Sequence, residues 1–106
     1  MNYVIFTAGT HEYKLKLTTK NIVLLEKQIG TNPLAIFGNG EQMPTLTTMV
    51  AVLHASLQQL QHGITMTDAY NIFDEYLEDG NTMTDFVHVI LDIYRASGLI
   101  KDEAKN

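Results

Sequence analysis

The apolar pattern of this chain changes period once, near Thr18, and that change limits the folds open to it. Before it, residues 2–7 (NYVIFT) are β-branched and aromatic. Residues 11–17 (HEYKLKL) alternate, with Tyr13, Leu15 and Leu17 to one side and Lys14 and Lys16 to the other. A period of two marks a strand. Ala8-Gly9-Thr10 between the runs makes a short loop in which Gly9 can take the positive φ of a hairpin turn. After Thr18 the apolar residues recur at helical spacing. A lone hairpin is marginal in water, so its greasy face must rest on those helices. The expected class is α+β, predominantly α: an N-terminal β-hairpin packed on a bundle of about four to five helices.

The helix limits are written in caps and stops. Thr18 or Thr19 can cap a first helix in which Ile22, Leu25 and Ile29 recur, with Gly30 ending it. Asn32-Pro33 starts a brief helix to Phe37, broken by Gly38-Asn39-Gly40. Pro44-Thr45 opens a longer one, whose stripe of Leu46, Met49, Val50, Leu53, Leu57 and Leu60 runs to near Gly63. Two later segments begin alike, Thr65-Met66-Thr67-Asp68 and Thr82-Met83-Thr84-Asp85, each with the spacing of a capping box. Ala69, Ile72, Phe73, Tyr76 and Leu77 form the first of their stripes. Phe86, Val87, Ile90, Leu91, Ile93 and Tyr94 form the second, and Gly80 and Gly98 close them. No linker divides the chain, so residues 1–100 read as one domain and 101–106 as a charged, frayed tail.

Composition narrows the function classes. Charged residues are 18% of the 106, below the usual share of about 25%, which hints at a partner or at self-association. Residues 1–44 carry a formal charge of +1 and residues 45–106 a charge of −6. An acidic helical half repels phosphate backbones, so nucleic-acid binding is disfavoured. With no cysteine, disulfides, thiolate metal sites and a Cys nucleophile are excluded, in keeping with a reducing cytoplasm. The N-terminus lacks the basic and long apolar regions of a signal peptide, and no run approaches the ~18 apolar residues of a membrane span.

The chemistry-bearing residues do not assemble into a catalytic or metal set. His54 and His62 stand eight apart, which turns them roughly 80° from each other on a helix. His54 reads as a packed residue at the edge of a stripe, and His11 and His88 as surface residues. The acidic run Asp74, Glu75, Glu78, Asp79 fails the calcium-loop pattern, because Phe86 occupies the position of the required Glu. It reads as a solvated helix face, although carboxylates near a helix C-terminus oppose the dipole and so invite another use. No phosphate loop, nucleophile elbow or dinucleotide fingerprint occurs. The expectation is therefore no enzyme, no cofactor and no small-molecule substrate. What is left is surface: Met49, His54, Gln58, Tyr70 and Tyr76, on the third and fourth major segments, are the candidate partner-binding residues.

One resemblance extends over most of the chain. It is carried by Leu17-Thr18-Thr19, Leu25-Glu26-Lys27, Gly30-x-Asn32-Pro33-Leu34, the run Met49 to Gln58 through His62-Gly63-Ile64, and Asp74-Glu75-Tyr76-Leu77-Glu78-Asp79-Gly80 with Asp85 and Ile90 after it. In order and spacing from residue 13 to about 100, these resemble the tail assembly chaperones of long-tailed bacteriophages and prophages of Gram-positive bacteria. The resemblance implies a non-enzymatic protein of the host-cell cytoplasm, absent from the mature virion. It implies two partners: the long, helical tape measure protein, which it coats, and the tail tube protein, whose subunits it helps recruit. The rival expectation is a small structural component of the virion, such as a head–tail connector or a tail terminator.

Overall fold

A computed structural model of the chain describes residues 2–37 and 43–101. Strands β1 (Val4–Ala8) and β2 (His11–Leu15) form an antiparallel pair in which Val4 faces Leu15, Phe6 faces Tyr13 and Ala8 faces His11. The two-residue loop between them has positive φ at Gly9 (+62°) and not at Thr10, the signature of a type II′ turn. The helices are α1 (Thr19–Ile29), α2 (Leu46–Leu57), α3 (Met66–Glu78) and α4 (Met83–Ala96), with a single 3₁₀ turn at Pro33–Ala35. This is an α+β fold, predominantly α, as the change of period requires. The Gly38-Asn39-Gly40 break and the 102–106 part of the tail lie outside the described residues.

Helix α2 is the hub. It packs on α1, α3, α4 and β2, and Met49 through Leu53, together with Ala55 through Leu57, are all buried. That explains why its sequence is apolar nearly all round rather than along one stripe. The hairpin lies on α3 and α4 through β1 and on α2 through β2. Its inward face, Phe6, Ala8 and Leu15, is buried, while Ile5, Thr7, Glu12 and Lys14 face solvent. Phe6 enters a four-ring cluster with Phe73, Tyr76 and Phe86, with centroid separations from 4.9 to 6.0 Å. This joins β1, α3 and α4 into one core.

Helix α2 stops at Leu57, one and a half turns before Gly63, and Leu60 is exposed outside the stripe that includes it in the sequence reading. The reason is that every one of its last four carbonyls has another donor. The His54 carbonyl accepts from Gln58 Nε2 and the Ala55 carbonyl from the Gln58 N–H. The Ser56 carbonyl accepts from the Lys16 N–H, and Leu57 from both the N–H and Nε2 of Gln61. With its orphan acceptors satisfied, the helix can end without a glycine. The Gln61 amide reaches further. Its Oε1 accepts from the Lys14 N–H at 2.7 Å and its Nε2 donates to the Lys14 carbonyl at 2.8 Å. One side chain thus imitates a residue of a third strand and closes that stretch of the β2 edge. Beyond the Lys16 N–H, which goes to the Ser56 carbonyl, the Leu17 N–H goes to Ser97 Oγ just after α4.

Both capping boxes form. Thr65 and Thr82 each accept from the N–H of the Asp three residues on, and Asp68 and Asp85 each accept in return from the threonine N–H. Met66 and Met83, next to the caps, are half-buried against the core. The acidic run at the end of α3 is largely exposed, as expected of a solvated face, but two of its members meet the hairpin. Asp79 Oδ2 accepts from the Gly9 N–H at 2.8 Å, and a Cβ at Gly9 would collide with the Glu75 carboxylate. The hairpin turn is therefore pinned to the C-terminus of α3.

Candidate functional site

Two helices with surplus apolar residues leave a furrow where they meet. On α3, Tyr70, Phe73, Asp74 and Leu77 follow the i, i+3, i+4, i+7 spacing of one helix face. On α2, Leu46, Thr47 and Val50 oppose them. Together these seven line a groove of about 390 Å³. Phe73 and Val50 are buried and form its floor, while Leu46 (48% exposed) and Tyr70 (54% exposed) stand as its walls. Asp74 is the one charged residue of the lining, and it is exposed. Phe73 also packs against Phe86 and Tyr76 on its inner side, so the floor is rigid with the core. Such a site offers mostly apolar area, with the Asp74 carboxylate and the Thr47 and Tyr70 hydroxyls as its polar groups.

Of the five partner-binding residues expected from sequence, only Tyr70 lies in this groove. Met49 is fully buried and Tyr76 sits inside the aromatic cluster. Neither presents a surface, and both are corrected to core residues. The reason is packing from several sides: β1 and α4 close over the faces of α2 and α3 on which they lie. His54 and Gln58 are half-buried at the end of α2. The Gln58 amide donates through Nε2 to the carbonyls of His54 and Ile64, so that nitrogen is engaged in closing the helix end. The groove residues that the sequence reading assigned elsewhere are Leu46, Val50, Phe73 and Leu77, read as core stripe, and Asp74, read as solvated. The available signal was Tyr70, Asp74 and Leu77 at i, i+4, i+7, a second face beside the core stripe of α3.

Burial alters the tyrosines most. Tyr94, buried beneath the 3₁₀ turn, donates to the Pro33 carbonyl at 2.8 Å, and desolvation pushes its pKa well up. Tyr76 is pushed up to about 12 by burial and, secondarily, by Asp85. The capping bonds from Thr65 hold the Asp68 carboxyl below its ordinary range. These shifts follow from packing and caps and do not converge on a reacting centre. Among the described residues no three of His, Asp and Glu stand close enough to share a metal ion, and no helix is long and apolar enough to cross a membrane.

No curated protein and no solved structure matches the chain. A family model does, over residues 4–106, and on that extent the chain belongs to DUF6096, a family of unknown function.

Proposed function

We propose that this protein is a tail assembly chaperone of a bacteriophage or prophage, acting in the host-cell cytoplasm by binding and without catalysis. Its client is the tape measure protein. One amphipathic helix of the client lies in the α2–α3 groove with its apolar stripe on Leu46, Val50, Phe73 and Leu77. Many copies along one client hold it soluble by avidity until tail tube subunits replace them.

The observation that carries the reading is the groove itself. It is open, apolar and walled by exposed Leu46 and Tyr70, and it has a floor locked into the aromatic core. A long helical client with unsatisfied stripes is the partner that such a surface suits. The resemblance of residues 13 to about 100 to the chaperones of long-tailed phages supplies the biological setting. Co-expression with the tape measure protein encoded nearby tests it. The expected result is a soluble complex in which the client is rescued from aggregation. Failure of folded chaperone to retain or solubilise the client contradicts it. Mass spectrometry of purified particles separates the rival role, because a connector or terminator persists there in fixed number and a chaperone does not.

A further inference from the structure

The two edges of the hairpin differ in what meets them. The two-residue turn makes Ala8 and His11 a hydrogen-bonded pair, and the register makes Phe6–Tyr13 and Val4–Leu15 the next ones. The residues between these pairs turn their main-chain groups outward. On β2 they are Glu12 and Lys14. The Gln61 amide takes both groups of Lys14, and beyond it the Lys16 N–H goes to the Ser56 carbonyl. On β1 they are Ile5 and Thr7. No described residue offers a hydrogen bond to the main chain of either. Both are exposed, Ile5 by 41%, so this edge is open.

An open edge is a template for pairing, and edge strands are ordinarily blunted with a charge, a proline or a bulge. Strand β1 reads VIFTA, and it has no charged side chain, no proline and an unbroken register. Strand β2 carries Glu12 and Lys14 in addition to its Gln61 cover. The unpaired N–H and C=O groups of β1 are matched by an extended main chain. A helix does not match them, because its main-chain groups are bonded within it. The charges beside the edge are unevenly placed. Glu12 stands across from Thr7, the Glu75 carboxylate lies against Gly9, and Asp79 accepts from the Gly9 N–H. Lys14, across from Ile5, reaches over the Tyr3 ring and so away from the turn. We infer that the outer edge of β1 receives an extended segment of a partner protein as a third strand. The segment places an apolar side chain beside Ile5 and a lysine or arginine beside the turn, among the carboxylates of Glu12, Glu75 and Asp79. Main-chain hydrogen bonds at Ile5 and Thr7 hold it, and the charges fix its register.

The edge shares no residue with the α2–α3 groove, so strand docking does not rest on the client reading. The test is amide NMR of the full chain, titrated to millimolar concentration with a short capped peptide of alternating valine and threonine with a lysine at each end. Saturable shifts are expected along β1, and the Ile5 and Thr7 amides, open in the free protein, are expected to exchange at least ~10-fold more slowly when it is bound. The Leu46→Ala, Tyr70→Ala double variant is expected to bind the peptide unchanged. The same peptide methylated at every main-chain nitrogen is expected not to bind. With glutamate in place of lysine it is expected to bind at least ~5-fold more weakly, by a margin that narrows as salt is raised. Thr7→Pro removes one outward donor and leaves the β1–β2 ladder intact, since proline is accepted on an edge strand whose N–H faces solvent. It is expected to weaken binding by at least ~5-fold. If that variant does not fold, the methylated peptide still separates main-chain pairing from greasy contact. Absence of binding to folded protein, equal binding of the methylated or glutamate peptide, or unchanged affinity of folded Thr7→Pro overturns the inference. So does protection of Ile5 and Thr7 that rises with protein concentration before peptide is added, which would place a second copy on the edge.

Discussion

Single side chains in this protein join segments far apart in sequence, and their removal is expected to be costly beyond their size. The Tyr94 hydroxyl spans from α4 to Pro33, both buried. Tyr94→Phe leaves the Pro33 carbonyl without its partner, and a loss of about 1–3 kcal/mol in urea unfolding is expected. The same residue sets the alkaline behaviour. Tyr94 and Tyr76 both bind their protons more tightly folded than unfolded. Below the ordinary tyrosine range both states are protonated and stability is unaffected. As pH rises from about 10 toward 12, the unfolded chain releases protons that the fold retains, so stability falls with pH. Replacing Tyr94 by Phe is expected to make that fall shallower, since one of the raised groups is gone while Tyr76 and Tyr13 remain. A slope equal to that of the wild type contradicts the assignment.

At the scale of elements, the ends matter more than the middles. Thr82→Ala removes the cap of α4 and is expected to cost about 1 kcal/mol. Asp68, held below its ordinary range by the Thr65 cap, contributes stability above its unfolded pKa that is lost as pH falls through the lower folded value. Thr65→Ala should flatten that acid limb in pH-dependent unfolding. Gln61→Glu tests the imitation strand, because a carboxylate accepts from the Lys14 N–H but cannot donate to its carbonyl. Faster hydrogen exchange at Lys16 and Leu17, whose amides anchor the same edge, is the expected result, and unchanged exchange there counts against it. These features divide what the sequence discloses from what it does not. Capping boxes, the Gly9 turn and the stop at Gly30 are local chemistry, legible in runs of three or four residues. The end of α2 was not, because its carbonyls are taken by side-chain amides of Gln58 and Gln61 and by the distant Lys16 N–H, and Leu60 continues the helical spacing past the true stop.

For the whole molecule, the class of fold follows from the change of period, but the surface does not follow from the stripes. Met49 and Leu46 belong to the same apolar run on α2. One is sealed by neighbours on every side and the other forms the rim of the groove. Tyr70 and Tyr76 differ in the same way on α3. Which face is covered depends on where the hairpin and α4 lie, and no short-range pattern encodes that. The distinction has a consequence in mutagenesis. Leu46→Ala with Tyr70→Ala is expected to leave stability within about 1 kcal/mol and to weaken client binding by at least ~10-fold.

The most direct measurement is a two-dimensional NMR titration of the full chain with amphipathic helical peptides from the tape measure protein. The account predicts saturable shifts confined to Leu46, Thr47, Val50, Tyr70, Phe73, Asp74 and Leu77 and their immediate neighbours, lost in the Leu46→Ala, Tyr70→Ala double variant. Shifts centred instead on the outer face of the hairpin, or no shifts from a folded protein with any of the peptides, would contradict it.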